Sequence, residues 1–230
     1  MRLNKYLALC GLGSRRRCDT LISNKKILIN GVIVDDFSYR IKLNDIVQYK
    51  NSIIVPNNNF KFYLLNKPSG YVCSSSTIEG KRVIDLIPSD RRLFTIGRLD
   101  RDTTGAIIIT DNGDFANKIM HPRYQIEKVY IIESKIDINK KLYNKFENGI
   151  DIGKGEVSKG KIKRLHKQNG IIYWEVKIKE GKNREIKRLF QAMGSKVLKL
   201  HRYSIAGFNV KNIRIGSFTM LNKKQINGLI

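Results

Sequence analysis

Residues 51 to 59, Asn-Ser-Ile-Ile-Val-Pro-Asn-Asn-Asn, carry no charge in a chain where 28% of residues are charged. A neutral run ending in proline and a polar cluster has the chemistry of a connection. It predicts that these 230 residues fold in two pieces, 1–50 and 60–230, joined by a linker at 51–59. Ahead of it, Leu3, Tyr6, Leu7 and Leu9 follow helical spacing and run into a Gly11-Leu12-Gly13 stop. Ser14 is placed to cap a second short helix whose apolar face holds Leu21 and Ile22. Ile27–Ile29, Val32–Val34 and Ile46–Tyr49 read as strands, with Asn30-Gly31 as a hairpin turn. This first piece has ten basic residues against four acidic ones.

Behind the break, strands and helices mix without the regular alternation of a parallel α/β fold. Strands are predicted at Phe62–Leu65, Phe94–Ile96, Ala106–Ile109, Lys128–Ile132 and Ile171–Ile178. Helices are predicted at Phe115–Met120, Lys140–Phe146 and Arg184–Met193. The fold class is therefore α+β: a small helix-plus-hairpin domain, then a mixed, mostly antiparallel sheet with flanking helices.

Charge narrows the partner. Lys and Arg number 44 against 20 Asp and Glu, a formal net charge of +24. Lysine, isoleucine and asparagine have A/T-rich codons, so the sign of this excess guides the reading more than its size. A positive field draws polyanions, nucleic acid first. A membrane-surface helix would gather its lysines beside a Trp/Phe/Leu face, whereas here they are spread and Trp174 is the single tryptophan. The longest apolar runs are far below a membrane span, and the first ten residues lack a signal peptide's apolar stretch. Three cysteines without a Cys-x-x-Cys pair argue against a disulfide framework or a cysteine-rich zinc site. The expectation is a cytoplasmic, reduced, monomeric protein with no membrane or metal partner.

Several motifs drop out. Gly11-Leu12-Gly13 lacks the third glycine and preceding strand of a dinucleotide loop. Asp100-Arg101-Asp102-Thr103-Thr104-Gly105 imitates the front of a calcium loop, yet an arginine interrupts it and the bidentate glutamate is missing. His121, His166 and His201 have no metal spacing.

What survives is an ordered set of blocks. Asn66-Lys67-Pro68-Ser69-Gly70 comes first, then Gly97-Arg98-Leu99-Asp100 with Asp102-Thr103-Thr104-Gly105. Asn112-Gly113-Asp114-Phe115-Ala116-Asn117-Lys118, His121-Pro122 and Glu127-Lys128-Val129-Tyr130 follow. Glu180-Gly181-Lys182-Asn183-Arg184-Glu185-Ile186-Lys187-Arg188 and Leu200-His201-Arg202 complete them. Together they closely resemble the RsuA/RluB family of bacterial ribosomal RNA pseudouridine synthases, over nearly the whole chain. Leu7-Ala8, Gly11, Ser14-Arg15-Arg16, Ile22 and Ile29-Asn30-Gly31 are similar to the small RNA-binding domain named after the fourth small-subunit ribosomal protein. The Asn-Gly-Asp-Phe-Ala-Asn-Lys and Asn-Arg-Glu-Ile-Lys-Arg segments lean toward the large-subunit (RluB) branch.

The resemblance implies an isomerase that breaks the C1′–N1 bond of a uridine, turns the base, and joins C1′ to C5, without a cofactor or metal. It implies Asp100 as the reacting carboxylate, either a nucleophile or a base toward the ribose. Arg98, two residues away on a strand, is expected on the same side to favour the charged form. Tyr130 is implied as the tyrosine stacking on the extruded base, Lys187 as the basic partner of Asp100, and Leu200 as packing against the base. RNA contacts are expected from Arg2, Lys5, Ser14, Arg15, Arg16, Arg17 and Asn30, and from Lys182, Arg184, Arg188 and Arg202. Three departures stand out: Lys25 where a glycine is usual, Thr219 where an arginine is frequent, and an end at Ile230 without a basic tail. A small-subunit synthase and a non-catalytic assembly factor are the rival readings. An RNA methyltransferase would need a glycine-rich cofactor loop that the sequence lacks.

Overall fold

A computed structural model describes residues 1–74 and 80–229. The chain divides into two compact units, Met1–Phe60 with Ser89–Arg92, and Lys61–Pro88 with Leu93–Ile230.

The first unit starts with helices α1 (Leu3–Leu9) and α2 (Arg15–Ser23). The Ser14 side chain caps α2 by accepting from the Arg17 amide at 3.1 Å. Strands β1 (Ile27–Ile29), β2 (Val32–Ile33), β3 (Val47–Tyr49) and β4 (Ser52–Ile53) form an antiparallel sheet in the order β2-β1-β3-β4. The β1–β2 turn has positive φ at both Asn30 (53°) and Gly31 (80°), as a tight primed hairpin requires. Leu3, Leu7, Cys18, Ile22, Ile27, Ile29 and Val47 close the core, each large aliphatic side chain contributing about 1.5–3 kcal/mol.

One feature differs from the sequence reading. β4 lies inside the uncharged stretch, because Ser52 and Ile53 pair with Tyr49 and Gln48; the irregular connection begins after it. Lys25 adopts φ 55°, a left-handed conformation in which glycine carries no Cβ penalty.

The second unit holds β5 (Phe62–Lys67), β6 (Phe94–Ile96), β7 (Thr104–Thr110), α3 (Gly113–Met120) and β8 (Lys128–Ser134). Next come α4 (Lys141–Asn148), β9 (Ile150–Asp151), β10 (Val157–Ser158), β11 (Gly160–Gln168), β12 (Ile171–Ile178) and α5 (Glu185–Ala192). β13 (Val197–Ile205), β14 (Phe208–Asn209), β15 (Phe218–Met220) and α6 (Lys223–Asn227) finish it. The main sheet runs β11-β12-β8-β13-β7-β5-β15, and its β13–β7 pair is parallel while the other pairs are antiparallel. The mixed, mostly antiparallel expectation holds.

In β12, Ile172, Trp174, Val176 and Ile178 alternate into the core, as period-two patterning demands. Phe190 of α5 meets Trp174 edge-on at 6.2 Å, and the indole N–H donates to Ser134 at 2.8 Å. Phe115 of α3 packs edge-on against Phe62 at 4.9 Å, so β5 is buried on both faces. β11 and β13 were not legible as strands. β11 is a sheet edge that buries only Ile162, and β13 interleaves Lys199, His201 and Arg202 with its apolar residues. Helix α5 begins at Glu185 rather than Arg184, whose φ of 49° lies outside the helix. Among the described residues no helix is long and apolar enough to cross a membrane.

Candidate active site

The site is built around the turn that follows β6. Asp100 and Asp102 are held there by hydrogen bonds from behind. The Thr103 amide donates to the Asp100 carbonyl at 3.1 Å, and the Gly70 amide donates to the Arg101 carbonyl at 2.8 Å. Lys67 is fully buried at the end of β5. Its ammonium donates to the carbonyls of Pro68 (3.0 Å), Arg101 (3.2 Å) and Thr103 (2.8 Å). Burial pushes the Lys67 amine below its usual range, and these three acceptors satisfy its donors. Gly105 lets the turn close: a Cβ there would sit 2.2 Å from the Arg202 carbonyl oxygen of β13, and φ is already 108°.

The opposite wall is α5. Glu185, buried at its start, accepts from the Ser158 hydroxyl at 2.6 Å and from the Lys182 amide at 2.9 Å. Arg188 ties the helix to the β9–β10 hairpin, donating to the Ile152 carbonyl at 2.9 Å and pairing with Glu156. So moored, α5 presents Lys187 to the turn. Its ammonium lies 3.3 Å from Asp100 and makes two hydrogen bonds, 2.8 and 2.7 Å, to Asp102. These bonds hold the Asp102 carboxyl below the usual range, against an opposing effect of burial. The carboxylates that imitate a calcium loop are thus bridged by a lysine.

Between the walls lies a cleft of about 740 Å³, lined by Arg98, Asp100, Lys128, Tyr130, Lys187, Leu200 and Arg202 among others. Its volume suits a small organic group, within the ~300–1,000 Å³ range of ligand clefts. Tyr130 is 7% exposed on β8, opposite Arg202 of β13, and Leu200 packs against the same apolar cluster.

The structure places Asp100, Tyr130, Lys187 and Leu200 along one cleft, and gives others a setting different from the sequence reading. β6 stops at Ile96, so Arg98 is not on a strand with Asp100; it is exposed at the cleft, and the ion-pair partner of Asp100 is Lys187. Arg202 is not a surface cation. It is 2% exposed, donates from Nε to the Ala106 carbonyl at 2.6 Å, and buries an Nη2 that has no partner among the described residues. Arg188 is occupied by protein acceptors, and the Lys182 ammonium bonds the Val157 carbonyl and Glu180. Arg184 is exposed at the cleft.

In the first unit, the Asn30 side chain is engaged by Asp45 and the Ile46 amide, and Ser14 by its helix. Arg2, Arg15, Arg16 and Arg17 are exposed and Lys5 is half-buried. Lys67, Asp102, Lys128 and Glu185 had no assigned role from sequence. Lys67 had one signal, a lysine closing a largely apolar strand before proline. Lys128 lines the cleft, its amine donating to the Ile126 carbonyl at 2.9 Å. Burial, followed by the charge of Arg202, pushes that amine down to about 8.

Comparison with known proteins identifies the family. The RNA pseudouridylate synthase family model matches residues 61–192, and the S4 domain model matches residues 1–47. The ribosomal large subunit pseudouridine synthase B of Bacillus subtilis is 34% identical over 99% of this chain and 95% of that protein. An uncharacterized RNA pseudouridine synthase of Borreliella burgdorferi is 35% identical over 99% of this chain and 92% of its own length. A pseudouridylate synthase crystal structure superposes over the full length of both chains, with a TM-score of 0.72 and 26% identity. With a matching family model over most of the chain and full-length relatives above 30% identity, this chain belongs to the RNA pseudouridylate synthase family, in its S4-bearing RsuA/RluB group.

Proposed function

We propose that the chain isomerises one specific uridine of large-subunit (23S) ribosomal RNA to pseudouridine. The observation that carries this reading is the Lys187 ammonium 3.3 Å from Asp100 on the wall of a cleft that also holds Tyr130. The large-subunit assignment rests on the sequence blocks and on the name of the Bacillus relative.

Asp100 starts the reaction, attacking C1′ or taking a proton from the ribose, and the C1′–N1 bond breaks. The uracil turns while the cleft walls keep it from solvent, and C1′ joins C5 as the Asp100–C1′ bond breaks or, on the other route, as the ribose regains its proton. The C5 proton leaves, N1 gains a proton, and the Asp100 carboxylate is free again. Every other bond of the nucleotide is kept, so the step is an isomerisation. Lys187 places a positive charge 3.3 Å from the Asp100 carboxylate. Tyr130 stacks on the extruded base and its hydroxyl moves a proton, while Leu200 supports the other side. Extruding the base costs a few kcal/mol of stacking, offset by phosphate contacts. Arg98 and Arg184 at the cleft are suited to those contacts, as are Arg2 and Arg15–Arg17 in the first unit.

In this reading residues 1–50 bind RNA, 51–59 join, and 60–230 carry the chemistry, in a cytoplasmic monomer. Pseudouridine mapping of rRNA from a strain lacking the gene, with and without complementation, tests it. A single 23S position should lose and regain its modification. An unchanged 23S map would overturn the assignment, and a lost 16S position would move it to the small subunit.

A further inference from the structure

We propose that Asp102 is a positioning residue for the reaction: its carboxylate holds the Lys187 ammonium beside Asp100 and keeps it from closing fully onto the reacting carboxylate. This rests on the pseudouridine synthase reading above and adds a residue that the reading does not use.

The geometry is lopsided. Lys187 makes both of its short contacts, 2.7 and 2.8 Å, with Asp102, while Asp100 stands 3.3 Å away. Charge-assisted N–H···O bonds run to about 2.7–2.9 Å, so the ammonium leans toward Asp102. A lysine stem is flexible, with about 2 kcal/mol of rotamer entropy, and its root alone does not fix its tip. The root is fixed by α5, which Glu185 and Arg188 moor to neighbouring segments. The tip is fixed by Asp102.

Asp102 in turn cannot drift. The carbonyls on either side of it, those of Arg101 and Thr103, are taken by the buried Lys67 ammonium. Asp100 and Asp102 therefore sit on one pinned strap, facing one amine. Asp100 lines the cleft, whereas the Asp102 side chain is 70% exposed to solvent. The arrangement gives Asp100 a nearby positive charge and leaves its oxygens available to the substrate. Without Asp102, the amine either collapses onto Asp100 and occupies an oxygen or loses its fixed place. Both outcomes slow the chemical step.

The test is single-turnover pseudouridine formation at saturating enzyme, with RNA affinity measured alongside. Asp102→Ala should lower the saturated rate about tenfold, the scale of one hydrogen bond to a charged group. Asp102→Asn keeps one acceptor oxygen for Lys187 and should fall only about threefold. RNA affinity should hold or tighten, since a negative charge near a polyanion has gone. A merely structural role would weaken binding and lower the melting temperature together with the rate. An independent arm uses the free protein, following Asp102 titration by NMR in wild type and in Lys187→Met. The Asp102 carboxyl should move up toward the ordinary range once the amine is removed. Wild-type saturated rates in Asp102→Ala, or an Asp102 titration indifferent to Lys187, would overturn the proposal. If wild type makes no pseudouridine in any rRNA, the functional reading fails, and the titration still decides whether Lys187 and Asp102 are tethered.

Discussion

The two units spend the same residue types in opposite ways. In the first, Arg15, Arg16 and Arg17 open a helix with exposed side chains, and among the described residues no ion pair involves them. In the second, Lys67, Arg188, Arg202 and Lys187 are wholly or largely buried and aimed at named acceptors. Solvated cations suit a diffuse polyanion, because phosphate contacts are many and individually weak. Positioned cations suit one reacting group, because a fixed charge needs no reorganisation when the reaction occurs. Net charge alone hides this division. The +24 of the chain counts Lys67, which is spent on holding a turn, equally with Arg16, which is solvated.

The comparison can be broken most decisively at Asp100. Asp100→Asn keeps shape and removes the carboxylate proposed to react, so turnover should fall by at least about 10²–10⁴-fold with RNA affinity nearly intact. Lys187→Met comes next, keeping much of the apolar stem. Losing a hydrogen bond to a charged group, about 1.5–3 kcal/mol, should cut the saturated single-turnover rate by about ten- to a hundredfold. Unchanged saturated rates with weakened affinity would return Lys187 to the basic surface.

Lys128 sharpens the comparison through pH. Its folded-state value of about 8 lies below the ordinary 10.5, so the folded protein sheds this charge as pH rises through about 8. RNA affinity should therefore fall between pH 7 and 9 by up to about tenfold, and Lys128→Met should flatten the profile. The linkage has the opposite sign for the free protein. Between about 8 and 10.5 the unfolded chain holds a proton that the folded chain has lost, so this group's contribution to stability rises with pH. The smallest effect belongs to Arg16→Ala, which should weaken affinity modestly, reduce the salt slope by about one, and leave the saturated rate alone.

Much of this was legible in the sequence because local rules agreed with the fold. Leu3 and Leu7, the Ser14 cap, the Asn30-Gly31 turn and the alternation of β12 each announce their element. The site carboxylate and its lysine were legible by motif. What was not legible depends on tertiary neighbours. Burial of Arg202 follows from β13 crossing Gly105, a pairing 97 residues apart that no local pattern encodes. Arg188 reads as one more helix cation until the β9–β10 hairpin surrounds its guanidinium. Asp102 reads as a turn residue until α5 delivers Lys187 to it. β11 fails the pattern test because an edge strand with one covered position needs no alternation.

The central claim is that this cleft makes the C1′–C5 bond, and joining C1′ to C5 must expel the hydrogen at C5. The most direct measurement is tritium release from 23S rRNA transcripts labelled at C5 of uridine, under single-turnover conditions with the purified full chain. The account predicts release approaching one equivalent of tritium per transcript, with no strand cleavage and no free uracil. Tight binding of the transcript with tritium retained, or release accompanied by free uracil, would contradict it.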